Sequence, residues 1–151
     1  NTEDRKKLWK ARHEVYYSVK ALRPNTRVYT TDACVPISRL AECIKFTEEK
    51  IKEYGLQAPI VGHVGDGNFH CTVLYDPKKE GDHKTIREFS NQLINKTLEL
   101  DGTVTGEHGI GINKKEYLIK QHKDNIPLMQ MIKKNIDPKN IMNPGKVFDI
   151  N

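Results

Sequence analysis

Apolar residues along this chain switch between a helical and a strand period, and that switching predicts its elements. Residues 4–20 place Leu8, Ala11, Arg12, Val15 and Val19 at helical spacing, and Pro24 ends the helix. RVYTTDACV at 27–35 is rich in β-branched and aromatic residues, which predicts a strand stopped by Pro36. Leu40, Ile44, Thr47 and Ile51 share one face of a helix reaching about Tyr54. Ser38 or the preceding loop can cap its start, and Gly55 suits its C′ position. Ile60 to Val64 and Phe69 to Tyr75 read as strands joined by the turn signal Gly65-Asp66-Gly67-Asn68. Asp76-Pro77 and the polar run to Asp82 read as a loop. Ile86, Phe89, Leu93 and Leu100 mark the core face of a second helix over 84–100, and Thr103 to Thr105 can form a short last strand.

The order β-α-β-β-α-β is the split βαβ, or ferredoxin-like, arrangement. The expected class is α+β, an antiparallel sheet with two helices on one face. Lys114 to His122 and Ile126 to Asn135 add a C-terminal helical segment. Asp137-Pro138 and Asn143-Pro144-Gly145 punctuate a polar tail that does not extend the sheet.

Composition narrows the function classes. A chain of 151 residues can bury a core without a disulfide framework. Cys34, Cys43 and Cys71 are unclustered and match no zinc-finger spacing, which fits reduced, cytosolic or organellar surroundings. The net charge of +5 comes from lysines interleaved with acids, not from the basic stripe of a nucleic-acid reader. The weak positive balance can still attract an anionic substrate. No apolar run approaches the ~20 residues of a membrane span, and no signal peptide is evident. The chain opens on Asn1 directly into a helical pattern, so a piece of a longer protein is expected.

Chemistry concentrates in two motifs. In His63-Val64-Gly65-Asp66-Gly67-Asn68-Phe69-His70, a turn centred between Asp66 and Gly67 puts His63 directly opposite His70. Directly opposed residues have Cα atoms ~4.5–5.5 Å apart and side chains on one face, so two imidazoles can share a metal. The bland alternative is a pair of hairpin histidines satisfied by backbone or solvent. Thr105-Gly106-Glu107-His108-Gly109-Ile110-Gly111 supplies a second cluster, framed by glycines that permit sharp turning and close approach. Glu107 is the natural third ligand, since a His₂Glu set leaves an open metal position for water or substrate. His108 is then free to act as a base, a task suited to imidazole. Asp66 and Asn68 are good turn residues, and Asn68 can also touch a substrate. Arg12 sits at i+3 from Trp9 and i−4 from Tyr16. It is either a bidentate clamp for a carboxylate or a surface residue lying over a core of Trp9 and Tyr16. Gly62-x-x-Gly65-x-Gly67 opens no helix and is no dinucleotide fingerprint.

VGHVGDGNFHCTVLYDP at 61–77, GTVTGEHGIG at 102–111 and DPKNIMNPGKVF at 137–148, with ALRPNTRVYTTDACVPISRL at 21–40, resemble the C-terminal end of the FAD-linked oxidases of the vanillyl-alcohol oxidase type. The likeness is strongest to the mitochondrial, cytochrome-linked D-lactate dehydrogenases. D-2-hydroxyglutarate dehydrogenases and bacterial glycolate oxidase flavoprotein subunits are also similar. The resemblance implies that His63, His70 and Glu107 coordinate a divalent metal (Zn, Mn or Fe). It implies that His108 takes the proton from the substrate 2-hydroxyl, that Arg12 holds the substrate carboxylate, and that Asn143 lies against FAD. It also implies cytochrome c as electron acceptor and a mitochondrial or, in a bacterium, a cytoplasmic or membrane-peripheral setting. Residues 1–111 would then be part of the substrate and metal domain, and 112–151 a helical segment with a flavin-facing tail. The FAD-binding domain would lie outside the chain, leaving these residues inactive alone. Two departures matter. The hydroxyglutarate enzymes carry a lysine where this chain has Thr30 and an asparagine where it has Thr72. Their absence favours a small monocarboxylate. A self-standing metal-dependent hydrolase or a binding module with a structural metal are the competing readings. The first has no use for Asn143-Pro144-Gly145-Lys146, and the second would close the metal's fourth position.

Overall fold

The computed structural model describes residues 1–150. Helix α1 (Thr2–Ala21) is followed by β1 (Arg27–Thr30), β2 (Ala33–Cys34), α2 (Leu40–Glu53), β3 (Ile60–His63), β4 (Asn68–Tyr75) and α3 (Asp82–Glu99). Helices α4 (Lys115–His122) and α5 (Ile126–Ile136) complete the chain before the tail.

β4 is the central strand, paired antiparallel with β1 and β2 on one side and with β3 on the other. The expected strand over 27–35 is therefore interrupted, although Thr30↔Thr72 and Ala33↔Phe69 keep a single register across the break. The interruption comes from Thr31, whose hydroxyl takes the amide of Cys71 at 2.8 Å in place of a ladder carbonyl. The expected last strand at Thr103–Thr105 shrinks to one bridge, Cys34↔Thr103. Its spatial order is still that of the split βαβ: the 103 bridge, then β1–β2, then β4, then β3.

The alternation along β4 divides the sheet. Phe69, Cys71 and Val73 face a core that also contains Leu40 and Cys43 of α2 and Ile86, Phe89 and Leu93 of α3. These two helices cover one face, as the period of their apolar residues requires. α2 ends in Gly55 at φ +61°, where Leu56 donates back to Ile51 O at 2.9 Å. Asn68, His70 and Thr72 point the other way, toward the face that α1 crosses. Trp9 and Tyr16 of α1 are about half exposed, so neither is a core residue.

Candidate metal and substrate site

The histidine hairpin differs from its expected register by two residues. His63 pairs with Asn68, and Val61 rather than His63 stands opposite His70. Val64–Asp66 winds a 3-10 turn closed by Gly67 at φ +70°, which lengthens the loop to four residues. A shift of two preserves the face, so His63 and His70 are diagonal neighbours with ring centroids 5.9 Å apart.

Glu107 reaches both. Its Oε1 lies 2.9 Å from His70 Nε2, 3.5 Å from His63 Nε2 and 3.6 Å from His108 Nε2. His63, His70 and Glu107 each offer a ligand atom, and all three lie within 4.8 Å of one another. His70 gives the sharpest test of fit for a cation. Its Nδ1 lies 3.0 Å from the carbonyl of Thr31, which can only accept, so Nδ1 carries the proton. In the neutral ring the lone pair is then on Nε2. It is buried and, despite the proximity of Glu107, makes no hydrogen bond of acceptable geometry. A carbonyl behind one ring nitrogen and an open lone pair on the other is how metal-binding imidazoles are oriented. The donor set suits a divalent transition metal.

His108 stacks on His70 with centroids 4.8 Å apart and planes 14° apart, and it is exposed. Arg12 comes to the same cluster from α1. Its Nη2 lies 3.1 Å from Nδ1 and 3.2 Å from Nε2 of His63, and its guanidinium stands 5.5 Å from the Trp9 ring. Arg12 is thus exposed and in contact with His63. Asn68 is buried, with Nδ2 donating to Asp32 Oδ1 and to Ala33 O at 2.9 Å each. Only its Oδ1 lacks a partner.

Beneath these residues lies a group that the motif reading missed. Asp32 is buried, and its Oδ2 accepts from Thr105 Oγ1 at 2.8 Å and from the amides of Gly106, Glu107 and His108 at 3.0, 3.2 and 3.0 Å. Lys114 Nζ stands 3.4 Å away and also donates to Val104 O at 2.9 Å. Burial alone would raise the Asp32 pKa. Hydrogen bonds from Asn68, the His108 amide and Thr105, with Lys114 beside them, hold the carboxyl far below the ordinary carboxylate range. Gly106 is required here, because a Cβ would sit 2.8 Å from Asn68 Cγ and 3.1 Å from Asp32 Oδ1. The one sequence signal for Asp32 was an aspartate inside a strand of β-formers, where that residue is depleted. Lys114 carried no signal.

The tail is fastened beside this loop. Val147 donates to Gly111 O at 2.8 Å, and Lys115 holds Asp149 at 2.7 Å. Asp137 accepts from Ile141 and Met142 amides at 3.0 and 2.9 Å and pairs with Lys133, shaping the turn that presents Asn143 at φ +48°. A separate cavity of about 510 Å³ lies between β1, α3 and the start of α4. It shares Asp32 and Lys114 with the site but none of the histidines at 63, 70 and 108.

Comparison with known proteins gives one consistent neighbourhood. The family model described as FAD linked oxidases, C-terminal domain, matches residues 1–147. A probable mitochondrial D-lactate dehydrogenase of Danio rerio is 44% identical over 98% of this chain and 30% of its own length. A mitochondrial D-lactate dehydrogenase (cytochrome) of Arabidopsis thaliana is 38% identical over 97% of this chain and 26% of its own. The glycolate oxidase subunit GlcD of Bacillus subtilis is 36% identical over 93% of this chain and 30% of its own. Among solved structures, a 4-ethylphenol oxidase from Gulosibacter chungangensis aligns at a TM-score of 0.65. It shares 21% identity over 95% of this chain and 30% of that one, a likeness of fold. The chain spans under a third of the length of these relatives.

Proposed function

The chain belongs to the FAD linked oxidases through their C-terminal domain, and from that premise we propose that it is the substrate- and metal-binding part of an FAD-dependent D-2-hydroxy acid dehydrogenase. D-lactate is the proposed substrate and pyruvate the product. The observation that carries this reading is the convergence of His63, His70 and Glu107, with the buried His70 Nε2 2.9 Å from Glu107 Oε1 and His108 stacked alongside. Residues 1–111 form part of the substrate domain in this reading, and 112–151 the helical segment and flavin-facing tail, while an FAD-binding region lies elsewhere in a longer polypeptide. These residues alone would then lack turnover.

Each side chain has one task. His63, His70 and Glu107 would hold a divalent metal, which when bound supplies Lewis acidity toward the substrate's hydroxyl and carboxylate oxygens. Arg12 pairs with the carboxylate through its planar fork, and Trp9 supports its guanidinium. His108 Nε2 accepts the proton of the 2-hydroxyl as the C2 carbon is oxidised. FAD, when bound, would supply the hydride acceptor, and Asn143 is the residue of this chain that would contact it. Asn68 leaves only Oδ1 for anything bound, because both its donors are engaged.

The choice of a small monocarboxylate rests on Thr30 and Thr72, cross-strand partners that offer no cation for a second carboxylate. The names of the cytochrome-linked relatives support cytochrome c as acceptor and a mitochondrial setting. No helix among the described residues is long and apolar enough to cross a membrane. The GlcD relatives make glycolate the alternative substrate, and D-2-hydroxyglutarate is a third candidate. Anaerobic bleaching of the flavin in the full-length protein separates them. D-lactate should bleach it at the lowest concentration, and a flavin-replete protein that no 2-hydroxy acid bleaches would refute the proposal.

A further inference from the structure

We propose that Asp32 is the positioning residue of this site: its buried carboxylate gathers the amides of Gly106, Glu107 and His108 and so sets where the Glu107 and His108 side chains stand. The inference rests on the reading of those two residues as ligand and base. Asp32 lies opposite His70 in the continuous register set by Thr30↔Thr72 and Ala33↔Phe69, so its side chain shares the face of the histidines. Three consecutive amides converging on one anion form a nest, a device that ordinarily receives a phosphate or another external anion. Here the occupant is internal. Amides that point down at Asp32 leave Glu107 and His108 to project up, where Glu107 Oε1 meets His70 Nε2 at 2.9 Å.

Charge is what this position needs. Oδ2 accepts from Thr105 Oγ1 and the three amides and faces Lys114, while Oδ1 accepts from Asn68 Nδ2. Every neighbour within hydrogen-bond reach is a donor. An asparagine at 32 must turn its NH₂ toward one set of donors or the other, and neither orientation is satisfied. A glutamate is one methylene too long, because the space beside Oδ1 is already closed by Asn68 and Gly106. Lys114 completes the device by neutralising the buried charge and bonding Val104 O, which ties the near end of the loop to its far end. His70 joins the same scaffold through Thr31 O, the residue before Asp32.

The test uses the full-length flavoprotein and two variants, Asp32→Asn and Thr105→Val. Zinc affinity is titrated in metal-depleted protein, hydrogen exchange is followed at the amides of 106–108, and kcat and KM are measured separately. Asp32→Asn should keep its flavin, bind Zn²⁺ roughly 10–100-fold more weakly, the range for residues that orient ligands, and exchange those amides faster. Assayed at saturating metal, its kcat should fall while KM changes little, because Arg12 is untouched and the metal site is filled. Thr105→Val should move all readouts in the same direction by less. Parental zinc affinity and amide protection in Asp32→Asn would overturn the proposal. If that variant does not fold, Thr105→Val decides, with parental values again overturning it. A parent protein that binds no zinc, manganese or iron defeats the metal reading, while amide exchange and the kcat loss still decide the role of Asp32.

Discussion

Two glycine-to-alanine substitutions, Gly106→Ala and Gly65→Ala, make the same chemical change and should have opposite effects. At Gly65 nothing lies within 4 Å of an added Cβ and the backbone is not left-handed. The alanine there restricts the unfolded chain and should stabilise by about 0.4–1 kcal/mol. At Gly106 the methyl runs into Asn68 and comes 3.1 Å from Asp32 Oδ1. Two routes relieve the clash. Lifting the loop breaks three amide bonds to a carboxylate, each worth about 1.5–3 kcal/mol and so roughly 4.5–9 kcal/mol together. Swinging Asn68 aside breaks one bond to the carboxylate and one to Ala33 O, a cost of roughly 2–4.5 kcal/mol. The second route is cheaper, so Gly106→Ala should cost about 2–4.5 kcal/mol. Urea unfolding of both variants against the parent measures this. Equal stabilities, or a stabilised Gly106→Ala, would refute the packing argument at the base of the loop.

Other expectations follow from individual groups. Asp32 has its folded-state pKa depressed below the ordinary 3.8, chiefly by hydrogen bonds that outweigh burial. The folded protein then binds fewer protons than the unfolded chain, so this stabilisation is present above that value and is lost as pH falls below it. An acid titration by circular dichroism should show the parent losing stability below pH 3.8, and a stability flat to pH ~2 would contradict that sign. Burial pushes the Cys71 thiol up to about 12 and raises Cys43 as well. A thiol reagent at neutral pH should therefore spare both in the native protein and label all three cysteines after denaturation. Rapid native labelling of Cys71 would contradict its burial. Replacing Thr30 by Lys together with Thr72 by Asn should shift kcat/KM toward D-2-hydroxyglutarate by ~10–100-fold, the worth of one charge-assisted contact. An unchanged preference would place the second-carboxylate contact elsewhere.

The fold was legible wherever local pattern and tertiary packing agree. The periods of Leu40 to Ile51 and Ile86 to Leu100 marked α2 and α3, and Gly55 marked a helix end that does adopt the left-handed region. The strand at 27–35 was legible as a segment but not as an interrupted one. The break depends on the Thr31 hydroxyl finding Cys71 forty residues away, which no local pattern encodes. The hairpin register failed for a related reason. Gly67 accepts a left-handed conformation one residue before the returning strand, and the 3-10 turn at Val64–Asp66 absorbs two residues that a tight turn would leave in the strands. Parity kept the two side chains together all the same, since a shift of two leaves both histidines on one face. The grouping of His63, His70 and Glu107, whose side chains the fold brings within 4.8 Å of one another, was legible because histidines and a glutamate framed by glycines stand out. Asp32 and Lys114 were not, because their importance lies in backbone amides and carbonyls that come together only on folding.

Metal content of the full-length flavoprotein and of two variants tests the central reading most directly. The parent and His108→Ala should each hold one divalent metal per chain, with turnover lost in the variant. His63→Ala should lose the metal while keeping its flavin. A parent that is flavin-replete, turns over D-lactate and contains no metal would contradict the reading. So would equal metal loss in His63→Ala and His108→Ala, since the division between ligand and base would then be gone.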